Sequence, residues 1–213
     1  MPIAEIRNRP GCMLQIAVLG SGRGSNFAAI MRAFDEGGIP NARVCLVVSN
    51  NSGAGILEIA RAHDLPAVHL SHKQFADEQQ FVQALLSLLR RHGVDLIVLA
   101  GYMKRLHPAV IGAYRNHIIN IHPALLPKFG GPGMYGRHVH EAVVASGERI
   151  SGATVHLVDE EYDHGRILLQ KSVVLSGDET PDSLAEMVLR LEHQLYPEAL
   201  RQIAEGRINL DTP

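Results

Sequence analysis

Leu14-Gln15-Ile16-Ala17-Val18-Leu19 runs without a break into Gly20-Ser21-Gly22-Arg23-Gly24-Ser25 and then into Asn26-Phe27-Ala28-Ala29-Ile30-Met31-Arg32-Ala33-Phe34. The first six residues are an apolar run of strand length, and the last nine carry apolar side chains at helical spacing. Strand, glycine loop and helix in immediate succession open a βαβ unit. Outward from it the alternation continues. Strands are expected at 44–48, 67–70, 94–100, 117–121, 153–158 and 167–175. Helices are expected at 55–63, 75–92, 138–146 and about 181–205, with Gly93 closing the long one. Such an order belongs to an α/β chain with a mostly parallel sheet. Residues 123–137 are rich in Gly and Pro and without period, as a long functional loop would be. Residues 1–13 lack a period and read as a loose arm, with Met13 an alternative start. No repeat or linker marks a second domain, so residues 14–213 read as one.

Composition narrows the function classes. Among 213 residues, 20 Lys and Arg face 22 Asp and Glu, a net charge of −2 that supplies no strong field for nucleic acid or an acidic membrane. A hydrophobic share of 46% with 20% charge suits a globular core and argues against disordered and fibrous classes. No apolar run reaches the ~20 residues that span a bilayer, and the first residues lack a signal-peptide pattern, so a soluble, cytoplasmic protein is expected. Cys12 and Cys45 are too few for a disulfide framework or a thiolate metal site and are expected as reduced, structural thiols.

Glycines between strand and helix let the backbone approach an anion, which the free N–H groups of the helix then bind. A dinucleotide fingerprint would need glycine where Ser25 stands and an acidic residue where Ser49-Asn50-Asn51 stands; a Walker loop would need Gly-Lys-Ser/Thr. Both are missing, which leaves a single phosphate, as on a ribonucleotide, with a plain tight turn as the bland alternative. Asn120 and His122, two apart at the end of an apolar strand, would point to the same side at the carboxyl edge of the sheet. An amide and an imidazole there can hold the oxyanion of an acyl-transfer intermediate. A carboxylate is then wanted to raise the imidazole pKa and take a proton, and Asp163 in Glu160-Glu161-Tyr162-Asp163-His164-Gly165 is the candidate. The bland readings are an Asx turn for Asn120, a capped loop histidine for His122 and a solvated acidic turn.

At these residues the chain resembles a known family. Leu19 to Phe27, Val48-Ser49-Asn50, Leu99-Ala100-Gly101-Tyr102-Met103-Lys104, Asn120-Ile121-His122-Pro123-Ala124-Leu125-Leu126-Pro127, and Gly152 to His156 through Asp163 to Gln170 are similar, in order from about Leu14 to Gly206, to the phosphoribosylglycinamide formyltransferases. The Asn-x-His-Pro-x-Leu-Leu-Pro segment belongs to the folate-dependent formyltransferases as a whole, and the Ser25-Asn26 loop narrows the likeness to the purine branch. The resemblance implies a single-domain, Rossmann-like, mostly parallel twisted sheet with helices on both faces. It implies formyl transfer from 10-formyltetrahydrofolate to the amine of glycinamide ribonucleotide in purine biosynthesis, with no metal. Asn120, His122 and Asp163 would take the catalytic places. Arg23, Gly24, Ser25 and Asn26 would hold the phosphate, Glu192 the ribose or glycinamide, and Met103, Lys104, Leu106 and Val158 the folate. Small molecules would be the only partners, for a monomer or homodimer.

Three departures stand out. Asp77-Glu78-Gln79-Gln80 replaces a basic residue the family often has, so phosphate affinity would lean on Arg23, Lys73 or the loop. The loop 129–137 is longer than the compact family version. His164 stands in place of a usual glycine, where it would either shift the pKa of the Asp163 carboxylate or, the favoured reading, face solvent. A metal site built from His122, His138 and His140 is disfavoured, because residues two apart on a helix diverge by ~200°; a helix cap for His138 and a formyl-site or phosphate contact for His140 are expected instead. Related hydrolases add an amino-terminal domain and transfer-RNA formyltransferases a carboxyl-terminal one, neither of which this chain is expected to hold. A nucleotide sensor without catalysis is the rival from another class, disfavoured by the intact Asn120, His122 and Asp163.

Overall fold

A computed structural model describes residues 13–212; the arm expected at 1–13, apart from Met13, and with it Cys12, lies outside them. Strand β1 (Leu14–Leu19) buries Ile16 and Val18 on one face and Ala17 and Leu19 on the other, which is why its sequence does not alternate in polarity. The chain continues through α1 (Ser25–Asp35), β2 (Ala42–Ser49), α2 (Gly55–Ala62), β3 (Ala67–His69), α3 (Glu78–Arg91), β4 (Leu96–Leu99), α4 (Pro108–Ala113) and β5 (Ile118–His122). It ends with α5 (Arg137–Ser146), β6 (Ile150–Leu157), β7 (Ile167–Val174) and α6 (Pro181–Ala204). The sheet order is β3-β2-β1-β4-β5-β6-β7, parallel from β3 to β5 and antiparallel for β6 and β7. Apolar side chains of α1, α2, α5 and α6 cover one face and those of α3 and α4 the other, giving two cores across one sheet.

Order reverses between β1 and β4, so the loops after these strands part and leave a crevice at their carboxyl ends. Tyr196 of α6 lies behind it, fully buried, with its hydroxyl 2.9 Å from the Leu99 carbonyl and 3.2 Å from that of Ile119. Among the described residues no helix is long and apolar enough to cross a membrane.

Several boundaries differ from the sequence expectation. The helix expected from Phe75 begins at Glu78, because Ser71 and Gln74 cap a separate 3-10 turn at His72–Gln74 and Asp77 caps α3 by accepting from the Gln80 amide. The acidic pair that replaces the family's basic residue thus serves the positive end of a helix. Helix α4 had no counterpart in the sequence reading; it is short, begun by His107 as cap and Pro108 as first residue. Strand β6 starts three residues earlier than expected, since Ile150, Ser151 and Gly152 pair with Val174, Val173 and Ser172. Gly152 is required there: a Cβ would stand 2.1 Å from the Lys171 carbonyl oxygen. Cys45 is a half-buried thiol donating to the Ile16 carbonyl, and burial pushes it up to about 11, so it stays protonated.

Candidate active site

Asn120 and His122 lie on one side of β5, where β6 pairs antiparallel with His156 opposite Asn120 and Thr154 opposite His122. The turn between β6 and β7 returns Asp163 over this strand end with φ 54, a left-handed conformation that Asp tolerates better than most residues. Its Oδ2 lies 3.5 Å from His122 Nδ1 and its Oδ1 3.6 Å from His156 Nε2. The three residues singled out in the sequence therefore converge. The loop 123–136 closes the same space from the other side. Phe129, at φ 57, turns its carbonyl to within 2.8 Å of His122 Nε2, and the Gly131 amide donates to Asp163 Oδ2 at 3.0 Å.

Proton positions follow from these partners. A carbonyl can only accept, so His122 carries its proton on Nε2 and presents the bare Nδ1 to the cavity and to Asp163 when neutral. Burial pushes the His122 pKa down, while the Asp163 carboxylate and the Phe129 carbonyl pull it up. His156 is fixed the same way, its Nδ1 2.8 Å from the Leu157 carbonyl, which leaves Nε2 to accept from Asn120 Nδ2 at 3.2 Å. One N–H of the Asn120 amide is thereby held, and the same nitrogen keeps a second for the cavity. Burial also pushes His156 down, with opposing pulls from the Leu157 carbonyl and Asp163.

A cavity of about 830 Å³ connects these groups. Its lining includes Arg23, Asn26 and Glu192 and also Met103, Lys104, Leu106 and Val158. Gly24 and Ser25 do not line it but form the start of α1, where Gly24 is the cap residue with no side-chain cap. The next N–H groups thus have no helical partner and suit an anion. Gly24 has φ 82, and a Cβ would meet the Ile56 Cα at 2.9 Å. Glu192, nine-tenths buried, accepts from Asn26 Nδ2 at 2.7 Å; burial pushes its carboxyl up and the Asn26 amide draws it back. Asn26 Oδ1 is sealed from solvent without a partner. Arg105 ties segment 101–106 to the turn after β6, stacking on Tyr162 at 5.3 Å and donating to the Glu160 carbonyl at 2.8 Å.

Lys73 and Arg23, the alternatives for the missing basic residue, share a second, more open hollow of about 610 Å³ beside the glycine loop, and Arg23 alone of the two borders both spaces. His138 is not a helix cap: Gly136 holds that position, and His138 sits exposed beside Glu141. His140 points the other way, 6% exposed and lining the cavity. No group of three or more His, Cys, Asp or Glu among the described residues could hold a metal ion. His164 faces solvent, 2.9 Å from Asp159, whose carboxylate raises its pKa. Sequence reasoning missed His156 as a site residue and the Phe129 carbonyl. A histidine in the middle of an apolar strand was the available signal for the first; nothing local marks the second.

The formyl transferase family matches residues 14–200. The chain is 44% identical over 195 residues to the chloroplastic phosphoribosylglycinamide formyltransferase of Arabidopsis thaliana, covering 91% of itself and 66% of that protein. It is 36% identical to the phosphoribosylglycinamide formyltransferase of Bacillus subtilis, covering 90% of itself and 95% of the relative. The crystal structure of glycinamide ribonucleotide transformylase 1 from Symbiobacterium toebii superposes with a TM-score of 0.85 at 40% identity, over 94% of this chain and 92% of that one. The chain belongs to the formyl transferase family, within it to the branch of the phosphoribosylglycinamide formyltransferases.

Proposed function

We propose that this chain transfers the formyl group of 10-formyltetrahydrofolate to the primary amine of glycinamide ribonucleotide, a step of purine biosynthesis. The observation that carries the reading is the convergence of Asn120, His122 and Asp163 on one cavity. The lining around Glu192 suits a phosphorylated ribose: the α1 amides after Gly24 bind the phosphate with Arg23, and Glu192 with Asn26 takes the ribose hydroxyls. Leu106 and Val158 suit a pterin, because they supply apolar walls while backbone of 101–106 and 158–163 supplies donors and acceptors.

Asn120 donates its free N–H to the formyl oxygen as the amine adds to the formyl carbon. Asp163 takes the proton that the amine loses and passes it to the bare Nδ1 of His122, 3.5 Å away. The imidazolium so formed keeps Nε2–H on the Phe129 carbonyl and faces the oxyanion with Nδ1–H. The same proton then moves to the departing folate nitrogen, which restores neutral His122. No covalent enzyme intermediate or metal enters.

The partners are small molecules, and a net charge of −2 favours neither nucleic acid nor an acidic membrane. A monomer or homodimer suffices, and the location is cytoplasmic. The test is an absorbance assay with 10-formyltetrahydrofolate, with and without glycinamide ribonucleotide. Release of tetrahydrofolate that depends on the amine supports the transfer, whereas equal release in its absence assigns a hydrolase.

A further inference from the structure

Helix α5 starts at Arg137 directly after the long loop, packs against α6, and buries one of its two histidines. His140 is 6% exposed and lines the cavity, and its ring makes no hydrogen bond among the described residues. Its Nδ1 is sealed from solvent and has no partner. A buried polar side chain without a protein partner costs stability unless something else completes it. The proton of the neutral ring belongs on Nε2, since an N–H at the sealed Nδ1 would have no acceptor among the described residues. Ring burial and the nearby His122 keep it neutral. His140 is therefore a single N–H donor, lining the cavity that His122, Asn26 and Glu192 also line.

We infer that His140 is an acceptor-binding residue, donating Nε2–H to the carbonyl oxygen of the amide that joins the reacting amine to the ribose. The inference rests on the proposed formyl transfer and deepens it. An amine held by its ribose and phosphate alone can still rotate about the amide linkage. A donor in the cavity that Glu192 and His122 share removes that freedom and selects acceptors with a carbonyl one bond removed from the amine-bearing carbon. The role is binding and orientation; no proton leaves His140.

The experiment compares wild type with His140→Leu and His140→Gln in steady-state kinetics with both substrates varied. Expected for His140→Leu is an acceptor KM raised about tenfold or more, with donor KM within twofold of wild type. His140→Gln, which keeps an N–H near the Nε2 position, restores at least half of that loss on a logarithmic scale. An unchanged acceptor KM in His140→Leu overturns the inference, as does equal weakening of donor and acceptor or a failure of Gln to restore more than Leu. Should His140→Leu not fold, wild type and His140→Ala, which has no side-chain donor, are compared with the ribonucleotide lacking the carbonyl oxygen. A discrimination against that analogue that is the same in both enzymes overturns the inference, and a smaller discrimination in His140→Ala supports it. A wild type without amine-dependent turnover defeats the formyl transfer itself, an outcome separate from an active wild type indifferent to His140.

Discussion

The ring of His122 and the carboxylate of Asp163 face each other at 3.5 Å, Nδ1 to Oδ2, although one ends strand β5 and the other sits in the turn between β6 and β7. With Nε2–H committed to Phe129, these are two hydrogen-bond acceptors side by side whenever the imidazole is neutral. His122 Nδ1 then lacks a donor, which an incoming amine carries. The Gly131 amide fixes the carboxylate in that stance from the loop side.

Asp163→Asn removes the proton acceptor while keeping the size of the side chain. Turnover should fall by roughly 10² or more, with the KM of both substrates within a few fold of wild type. Single-turnover kinetics checks this, and wild-type turnover in the variant would remove Asp163 from the proton path.

Three histidines, His122, His140 and His156, are held neutral by burial, which depresses each pKa below its unfolded value. Between the folded and unfolded values the unfolded chain binds more protons, so stability rises with pH there. Their contribution is fully present above about pH 6.5 and is lost as pH falls toward the depressed folded values. His164, raised by Asp159, and Glu192, raised by burial, act in the opposite sense; the first is exposed and screened, and the Asn26 amide draws the second back. Melting temperature should drop between about pH 7 and about pH 5, and the drop should be shallower in His140→Gln. Parallel profiles for the two proteins would contradict this account.

Gly24→Ala places a Cβ against the Ile56 backbone at a positive φ. Strain of about 1–3 kcal/mol follows, together with a shift of the first turn of α1. Expected are a lower melting temperature and an acceptor KM raised several fold, with the donor KM unchanged. A variant weakened equally toward both substrates would place the phosphate elsewhere.

Much of this was legible in the chain. The unbroken apolar run 14–19 and the glycines after it announce β1 and the turn into α1, because a strand buried on both faces and a backbone approaching a ligand each leave a composition that survives without context. Asn120 and His122 declared themselves through the period of a strand. What escaped depends on distant partners. The start of α3 rests on side-chain caps at Ser71 and Asp77 that outweigh the apolar Phe75. The Phe129 carbonyl acts through a backbone conformation that a bulky aromatic residue rarely adopts. His156 could be seen as a strand histidine, but its pairing with Asn120 exists only through the β5–β6 register.

That pairing yields the last prediction. His156 accepts from Asn120 Nδ2 and, through its own Nδ1–H on the Leu157 carbonyl, cannot swing away. His156→Phe fills the volume but offers no acceptor, so the Asn120 amide is free to rotate and present its carbonyl where a donor is needed. The formyl oxygen then loses its partner only as charge builds on it, which lowers kcat and leaves ground-state binding nearly intact. A fall in kcat of about tenfold to a hundredfold is expected, with both KM values within threefold. His156→Gln, which can still accept, should recover part of it. If the two variants lose kcat equally, or if KM rises in step with the loss, His156 supports only the packing of β6 and does not orient Asn120.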